Sequence, residues 1–241
     1  MDVTTKAVAL KATDYKENDK LVLLYSLDYG KITVHAKGVR KANAKLKFAA
    51  DQFCFGQYEL AKTDDRFTLK TCDQLESFYS LREDVVVYYS ACTIAECLAN
   101  YTEEGQAEPN VFIETLKALQ ALTNGIEPLL VTLRYLLAFV EMQGFKLQLN
   151  GCLSCGKSSK KLFLDLQRGG LLCESCRSPD SSLVSPRVLS ACQMLEHMPY
   201  DKLQNLNFTG EILKDALETC YKYVSHSFSP LKSLSELIKL A

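Results

Sequence analysis

The sequence predicts an α+β protein of several domains, with a small β-barrel first and a helical domain that surrounds a four-cysteine zinc ribbon. Short runs rich in Val, Leu, Phe, Tyr and Thr fill the first 80 residues, and longer apolar segments of helical length follow. Two Cys-x-x-Cys pairs interrupt the helical part. We expect the barrel over 1–80, helices over 81–150, the ribbon over 151–178 and further helices over 179–241.

Five strands are predicted in the first segment, each bounded by turn residues. In the third run, Ile32, Val34 and Ala36 alternate with polar residues, which predicts one buried face. Gly56 in the fourth run predicts a β-bulge. Five short strands are too few for a large sandwich and favour a small barrel. The predicted strands are Thr4–Ala12, Leu21–Ser26, Lys31–Lys37, Gln52–Ala61 and Phe67–Glu76.

Residues 84–100 are apolar nearly all round, which predicts a buried helix, although the β-branched residues at the start leave a strand open. Pro109 and Pro128 suit the first turns of two helices that extend to about Leu122 and Gln143. Farther along, Ser185 and Thr209 are placed to cap helices, and Ser233 begins a short last one.

The two Cys-x-x-Cys pairs are separated by 17 residues, which is the spacing of a zinc ribbon. Two such turns place four thiolates around one ion, and four thiolates close the coordination shell, so the predicted zinc is structural, one per chain. A thioredoxin-type redox pair and two local disulfides are the alternatives. Gly169-Gly170 suits the tip of a hairpin between the two pairs. The predicted ligands are Cys152, Cys155, Cys173 and Cys176.

One segment of the chain is strongly basic, although the formal net charge of the whole chain is only −1. Residues 31–50 hold six basic residues and no acid, with small residues between them. This pattern predicts an exposed loop that binds phosphate groups of nucleic acid, against the alternative of a solvated loop without a ligand. Tyr25, Tyr29 and Phe48 are candidates to stack on bases, although core packing is the commoner role. The predicted DNA-binding residues are Lys31, Lys37, Arg40, Lys41, Lys45 and Lys47.

No catalytic residues are predicted. The three histidines lie outside any known catalytic motif, and the chain contains no nucleophile-elbow or phosphate-loop sequence. The sequence therefore favours a protein that is not an enzyme, while a hydrolase built from residues distant in sequence stays open. A second alternative is a zinc-ribbon adaptor that binds only protein, because residues 83–145 carry nine acids against two basic residues.

The beginning of the sequence lacks the pattern of a signal peptide, and the most apolar stretch, Leu129–Met142, is shorter than a membrane span. These features predict a cytoplasmic protein without a membrane contact. In that compartment the remaining cysteines are expected to be apolar filler rather than disulfides.

The order and spacing of several motifs resemble the RecO family of bacterial DNA-repair mediators over nearly the whole chain. The segment from Ala36 to Lys41, together with Leu46-Lys47 and Gln52-Phe53, resembles the basic signature of that family. Asp19–Val22, Gly30–Ile32, the paired cysteines and Pro230–Ser233 match it in order.

The resemblance implies an N-terminal OB-fold and a helical domain with the zinc ribbon embedded between its helices. It further implies a non-enzymatic protein, associated with the bacterial nucleoid, that binds single- and double-stranded DNA and anneals complementary strands. With RecR as partner, such a protein helps to load RecA onto DNA coated by single-strand-binding protein (SSB). By motif match, Arg134 stands where the family binds the acidic C-terminal tail of SSB.

Overall fold

The structure is a computed structural model that describes residues 1–64 and 66–241. Asp65, in the turn predicted after the fourth strand, lies outside the described residues. The chain forms two compact units. The first comprises Met1–Asp84 and Ala95–Leu116, and the second comprises Val85–Ile94 and Lys117–Ala241.

The first unit contains a closed five-stranded barrel in the order β1-β2-β3-β5-β4, so the predicted OB-like barrel is confirmed. Neighbouring strands are antiparallel except β3 and β5, which are parallel. Pairing of β1 with β4 closes the sheet. The strands are β1 (Asp2–Tyr15), β2 (Asp19–Ser26), β3 (Gly30–Ala36), β4 (Phe55–Thr63) and β5 (Arg66–Glu76).

The alternation of apolar and polar residues in the sequence determines which side chains face the inside of the barrel. Ile32, Val34 and Ala36 are buried in one apolar cluster, as predicted. The pairing register shifts at the predicted Gly56 bulge and again within β1, and such irregularities bend a strand so that a small sheet can close. At Gly56 an added Cβ would lie 2.8 Å from the Sγ atom of Cys72, so only glycine fits there.

Helices α1 (Val85–Tyr101) and α2 (Pro109–Thr123) follow, which settles the open helix-or-strand question in favour of a helix. The beginning of α2 packs on the barrel, where the Phe112 ring lies 6.4 Å from the Tyr25 ring and 6.2 Å from that of Phe55. The start of β3 also contacts the segment that follows α1, because the amide of Gly105 donates to the carbonyl of Lys31 at 2.9 Å.

The second unit holds the remaining helices and a small sheet. Pro128 begins α3 as predicted, and the Thr209 side chain accepts a hydrogen bond from the first turn of α6. Ser185 precedes α4 but its side chain makes no capping bond. The helices are α3 (Pro128–Met142), α4 (Pro186–Leu195), α5 (Tyr200–Leu203), α6 (Gly210–Ser227) and α7 (Lys232–Leu240).

The sheet of the second unit contains the predicted hairpin, formed by β6 (Leu162–Asp165) and β7 (Gly170–Cys173). A third strand, β8 (Ser182–Val184), pairs with the other edge of β6. Among the described residues, no helix combines the length and the apolar character that crossing a bilayer requires.

Candidate nucleic-acid interface and metal centre

The basic loop, residues 37–47, begins at an amide held by a carboxylate. Asp19 Oδ1 accepts a hydrogen bond from the backbone amide of Gly38 at 2.8 Å, and its Oδ2 lies 2.7 Å from Nε2 of His35. These two contacts, with the amide bond first, lower the pKa of Asp19 from its ordinary value, so its carboxylate stays ionised. Val39 is buried in the barrel core, which fixes the first turn of the loop.

The loop ends in a 3-10 turn, Lys47–Ala50, that reaches into the barrel. Ala49 and Ala50 are buried in the core, and the hydroxyl of Tyr58 donates to the carbonyl of Ala49 at 3.0 Å. Phe48, a candidate stacking residue, packs against the same core as a half-buried side chain. Both ends of the loop are therefore anchored in the barrel.

Between these anchors the cationic side chains face solvent. Lys37, Lys41, Lys45 and Lys47 are exposed. Arg40 is also exposed; its guanidinium lies 3.1 Å from a carboxylate oxygen of Asp14. That ion pair is open to water on both sides, where such pairs are weak. The loop thus presents a cluster of cations that is not turned into the protein.

Lys31, the sixth predicted DNA-binding residue, lies elsewhere. Its ammonium group donates to the carbonyls of Ala99 (2.8 Å) and Thr102, at the end of α1. A cation at this position also complements the negative end of the helix dipole. The structure therefore places Lys31 in the contact between barrel and helix, apart from the other five.

Two aromatic candidates differ in accessibility. Tyr25 is completely buried, and its hydroxyl donates to Glu108 at 3.4 Å. Burial raises the pKa of Tyr25, and the Glu108 carboxylate adds to the effect. Tyr29 is only half-buried and lines a cavity of about 380 Å³ on the barrel wall. Of the two, only the Tyr29 ring borders open space.

A larger cavity of about 640 Å³ adjoins that of Tyr29, and most of the residues that line it were not predicted from the sequence as site residues. Tyr15, Lys16 and Arg66 line it, together with His35 and Phe67. Separate strands and turns contribute these residues, so no local motif marks them. The predicted fold could have located this cavity, because the binding face of an OB-fold lies between its β1–β2 and β4–β5 turns.

In the second unit, the four predicted metal ligands come together. Their sulfur atoms all lie within 4.8 Å of one another, and the Sγ atoms of Cys155 and Cys173 are 3.8 Å apart. A tetrahedral zinc site with bonds of ~2.3 Å requires sulfur separations of about 3.8 Å. The arrangement fits one divalent ion held by Cys152, Cys155, Cys173 and Cys176.

The backbone around the sulfurs explains how the site is preorganised. Gly156 donates its amide to the carbonyl of Cys152 at 2.8 Å and adopts a φ of 71°, which glycine tolerates. An amide hydrogen bond from Cys173 lowers the pKa of Cys152 to about 6, whereas sulfur contacts, led by that with Cys173, raise the pKa of Cys176 to about 11. One metal cation would stabilise all four thiolates together.

The other six cysteines form no disulfide, and all but the half-buried Cys92 are buried. This agrees with their expected role as small apolar side chains.

Arg134 on α3 is half-buried and touches the segment that leads into α5. Its Nε donates to the carbonyl of Met198 at 2.7 Å, and its guanidinium carbon lies 5.3 Å from the centre of the Tyr200 ring. The residue therefore joins two helical elements. The planar guanidinium lies beside an aromatic surface, a combination that suits a carboxylate-bearing aromatic peptide.

A closed OB-like barrel and a helical part with a four-cysteine cluster together define an α+β protein of a class that pairs a small β-module with a cysteine-bearing helical scaffold. Models of known protein families match both the barrel and the helical part. The family described as Recombination protein O N terminal matches residues 1–79, and Recombination protein O C terminal matches residues 82–235. The chain belongs to the RecO family.

Similar proteins cover almost the whole chain. A DNA repair protein RecO of Desulfitobacterium hafniense is 31% identical over 219 residues, covering 88% of this chain and 80% of its own length. That of Caldanaerobacter subterraneus is 25% identical over 241 residues, covering 98% of each chain. That of Clostridium novyi is 27% identical over 227 residues, covering 93% of this chain and 89% of its own. The family assigns this chain a role in DNA repair and recombination.

Proposed function

We propose that this chain is a non-enzymatic recombination mediator that binds single- and double-stranded DNA and anneals complementary strands. The observation that carries the proposal is the basic loop, which presents Lys37, Arg40, Lys41, Lys45 and Lys47 to solvent from two anchored ends on a closed barrel. Cations in this arrangement suit phosphate oxygens, which both forms of DNA expose.

Annealing follows from the same electrostatics. When the loop binds the phosphates of one strand, counterions leave that strand, and the bound lysines reduce its repulsion of a second strand. Phosphate contacts leave the edges of the bases open for pairing. No bond is made or broken in this process, so it requires no catalytic residue.

Binding at the loop is tested by salt titration of affinity for a labelled oligonucleotide. The double variant Arg40→Glu, Lys41→Glu should bind at least about 10-fold more weakly and show a shallower dependence on salt. The matched control reverses Lys117 and Lys222, which are exposed on α2 and α6, so the net charge changes equally. An unchanged affinity and slope in the loop variant would remove the loop from the proposal.

The same titration distinguishes the proposed mediator from the alternative, a zinc-ribbon adaptor. A zinc-ribbon adaptor that binds only protein would leave the oligonucleotide unbound even at ~50 mM salt, where phosphate contacts are strong. The proposed mediator binds under that condition and releases the oligonucleotide as the salt concentration rises.

We propose zinc as the ion of the four-cysteine site, with a structural role. Four thiolates leave no coordination position for water or substrate. The ion would join the turn that holds Cys152 and Cys155 to the end of β7, and its binding energy would stabilise the small β6–β7 hairpin.

We further propose that Arg134 binds the acidic tail of SSB, and that RecR and RecA act with this protein on SSB-coated DNA. The half-buried guanidinium beside Tyr200 supports the tail site. The test is annealing of complementary strands coated with SSB, with and without its tail. Deleting the tail should slow annealing by the wild type, and Arg134→Ala should slow it to the same rate. If Arg134→Ala still responds fully to the tail, this site is excluded.

A further inference from the structure

A groove runs along the outside of the barrel between the β1–β2 turn and the end of α1. It consists of the two adjoining cavities of about 640 and 380 Å³, which share Thr33, Phe67 and Glu104 as lining residues. We call it the barrel groove and define it by Tyr15, Lys16, Tyr29, Lys62, Arg66 and Phe67.

Aromatic rings form part of the groove wall. Tyr15 is 40% exposed, and its ring meets the His35 ring edge to face at 5.3 Å. The rings of Tyr29 and Phe67 lie 5.6 Å apart. An exposed ring with one face toward a cavity is a surface on which a planar base can stack.

Cations border these rings. The Nζ atom of Lys16 lies 5.2 Å from the centre of the Tyr15 ring, and that of Lys62 lies 5.3 Å from Tyr29 and 5.4 Å from Phe67. Arg66 and Lys37 line the larger cavity as well. Among the described lining residues, Glu104 carries the one carboxylate, so the groove is cationic as a whole.

The groove differs in chemistry from the basic loop beside it. The loop offers exposed cations without an exposed ring of Tyr, Phe or Trp, a set that suits phosphates in any strand form. The groove offers rings and cations together, which is how proteins hold unpaired bases next to their own phosphates. In a duplex the bases are stacked within the helix and cannot reach such rings.

We propose that the barrel groove binds unpaired bases of single-stranded DNA by stacking on Tyr15 and Tyr29. The basic loop holds phosphates of either strand form, and the groove gives the barrel its preference for single strands. This inference rests on the proposed DNA-binding function and specifies which form of DNA the barrel selects.

The test compares three ligands of equal length on the full chain: oligothymidylate of about 20 nucleotides, an abasic oligomer with the same phosphates, and a duplex. This length exceeds the roughly 4–16 nucleotides that one OB-fold covers. The wild type should bind oligothymidylate about 10-fold more tightly than the abasic oligomer, because only the former can stack.

Tyr15→Leu should weaken oligothymidylate binding about 5- to 10-fold and leave the abasic oligomer and the duplex unchanged. Tyr29→Leu should act in the same direction. Tyr79→Leu is the matched control, because Tyr79 is 62% exposed in the same unit but outside the groove. Thermal unfolding checks that each variant is folded. If Tyr29→Leu is unstable, the Tyr15→Leu variant decides the result, because Tyr15 lies at the exposed end of β1.

Equal affinity of the wild type for thymidylate and abasic oligomers would overturn the groove proposal. An equal loss for all three ligands in Tyr15→Leu, or no loss for thymidylate, would do the same. If the wild type binds neither the oligomers nor the duplex at low salt, the proposed DNA-binding function itself fails, and the two failures are thereby distinguished.

Discussion

The basic loop of the barrel and the ribbon around the four cysteines both concentrate positive charge, yet the charges have different neighbours. Beside the loop, one carboxylate, that of Asp14, contacts Arg40. In the ribbon, Lys161 lies 4.0 Å from Glu174, Arg177 packs over the Phe163 ring at 4.7 Å, and four sulfurs lie close by. Arg177 thus covers an aromatic ring of the ribbon, and we expect the lysines of the ribbon to offset the charge of the thiolate cluster, whereas the cations of the loop are available to an outside anion.

Each of the two regions is also stabilised in a different way. A ladder of hydrogen bonds closes the barrel around a large apolar cluster, to which all five strands contribute. In the ribbon, the short strands β6 and β7 are buried, and a small apolar cluster of Cys152, Leu172 and Cys173, with Cys176 packed against it, surrounds the sulfur atoms. We expect a bound ion to add stability to this small cluster, because a structural ion contributes its binding energy to folding.

The largest expected effect is loss of the metal centre. Cys155→Ser should abolish stoichiometric zinc binding and lower the free energy of unfolding of the second unit by at least about 3 kcal/mol. Metal analysis measures the first change, and hydrogen exchange of the β6 and β7 amides measures the second. Cys92→Ser, at a half-buried position outside the cluster, should keep the zinc. Retention of both zinc and stability in Cys155→Ser would disprove the four-thiolate site.

Lys31→Met tests whether a basic residue of the barrel can be structural. Its ammonium donates to two carbonyls at the end of α1, so the variant should lower the free energy of unfolding by about 2 kcal/mol. DNA affinity should fall less than about 2-fold. Urea unfolding and anisotropy measure the two quantities, and Lys41→Met should give the opposite pattern. A large loss of affinity with unchanged stability would return Lys31 to the DNA-binding set.

Charge reversal in the ribbon tests whether its cations differ in function from those of the basic loop. Lys160→Glu with Lys161→Glu should change oligonucleotide affinity less than about 2-fold, because we expect these cations to offset the charge of the thiolate cluster rather than to bind DNA. The loop pair at Arg40 and Lys41 should lose at least about 10-fold under the same conditions. Equal losses for the two pairs would show that the ribbon also contacts DNA and that its cations do not differ from those of the loop.

A smaller effect is expected at Asp19. Its pKa is lowered in the folded protein, chiefly by the Gly38 amide, so the carboxylate contributes stability above its ordinary pKa and loses it as the pH falls through the lowered value. Asp19→Asn should therefore melt below the wild type at pH 7, and the difference should shrink below about pH 4. Asp14→Asn, at an exposed ion pair, should show a smaller difference at pH 7. A difference for Asp19→Asn that stays constant with pH would contradict this assignment.

Local patterns explain which parts of the molecule could be predicted. The spacing of Cys152 and Cys155 from the second pair is a local signal, and so are Pro128 at the start of a helix and Gly56 at a bulge. The helix over 85–101 was less certain, because its β-branched start suits a strand equally well and burial by distant residues decides between them.

Long-range contacts explain the rest. Lys31 belongs to a basic run in the sequence, but its partners lie about 70 residues away at the end of α1. Tyr15 and Arg66 are brought to one groove by closure of the barrel, in which β5 pairs in parallel with β3. The sequence shows that such residues are cationic or aromatic, but which residues they contact is determined by the topology of the fold.

The hydrogen bond from Gly38 to Asp19 has a thermodynamic consequence. The same carboxylate holds His35, whose ring packs on Tyr15, so the start of the basic loop and the wall of the groove share one support. Ends that are already fixed lose little conformational entropy when a polyanion arrives. In the proposed complex with DNA, more of the favourable interaction would then be available as affinity, and phosphates bound by the loop would lie at a fixed distance from bases bound in the groove.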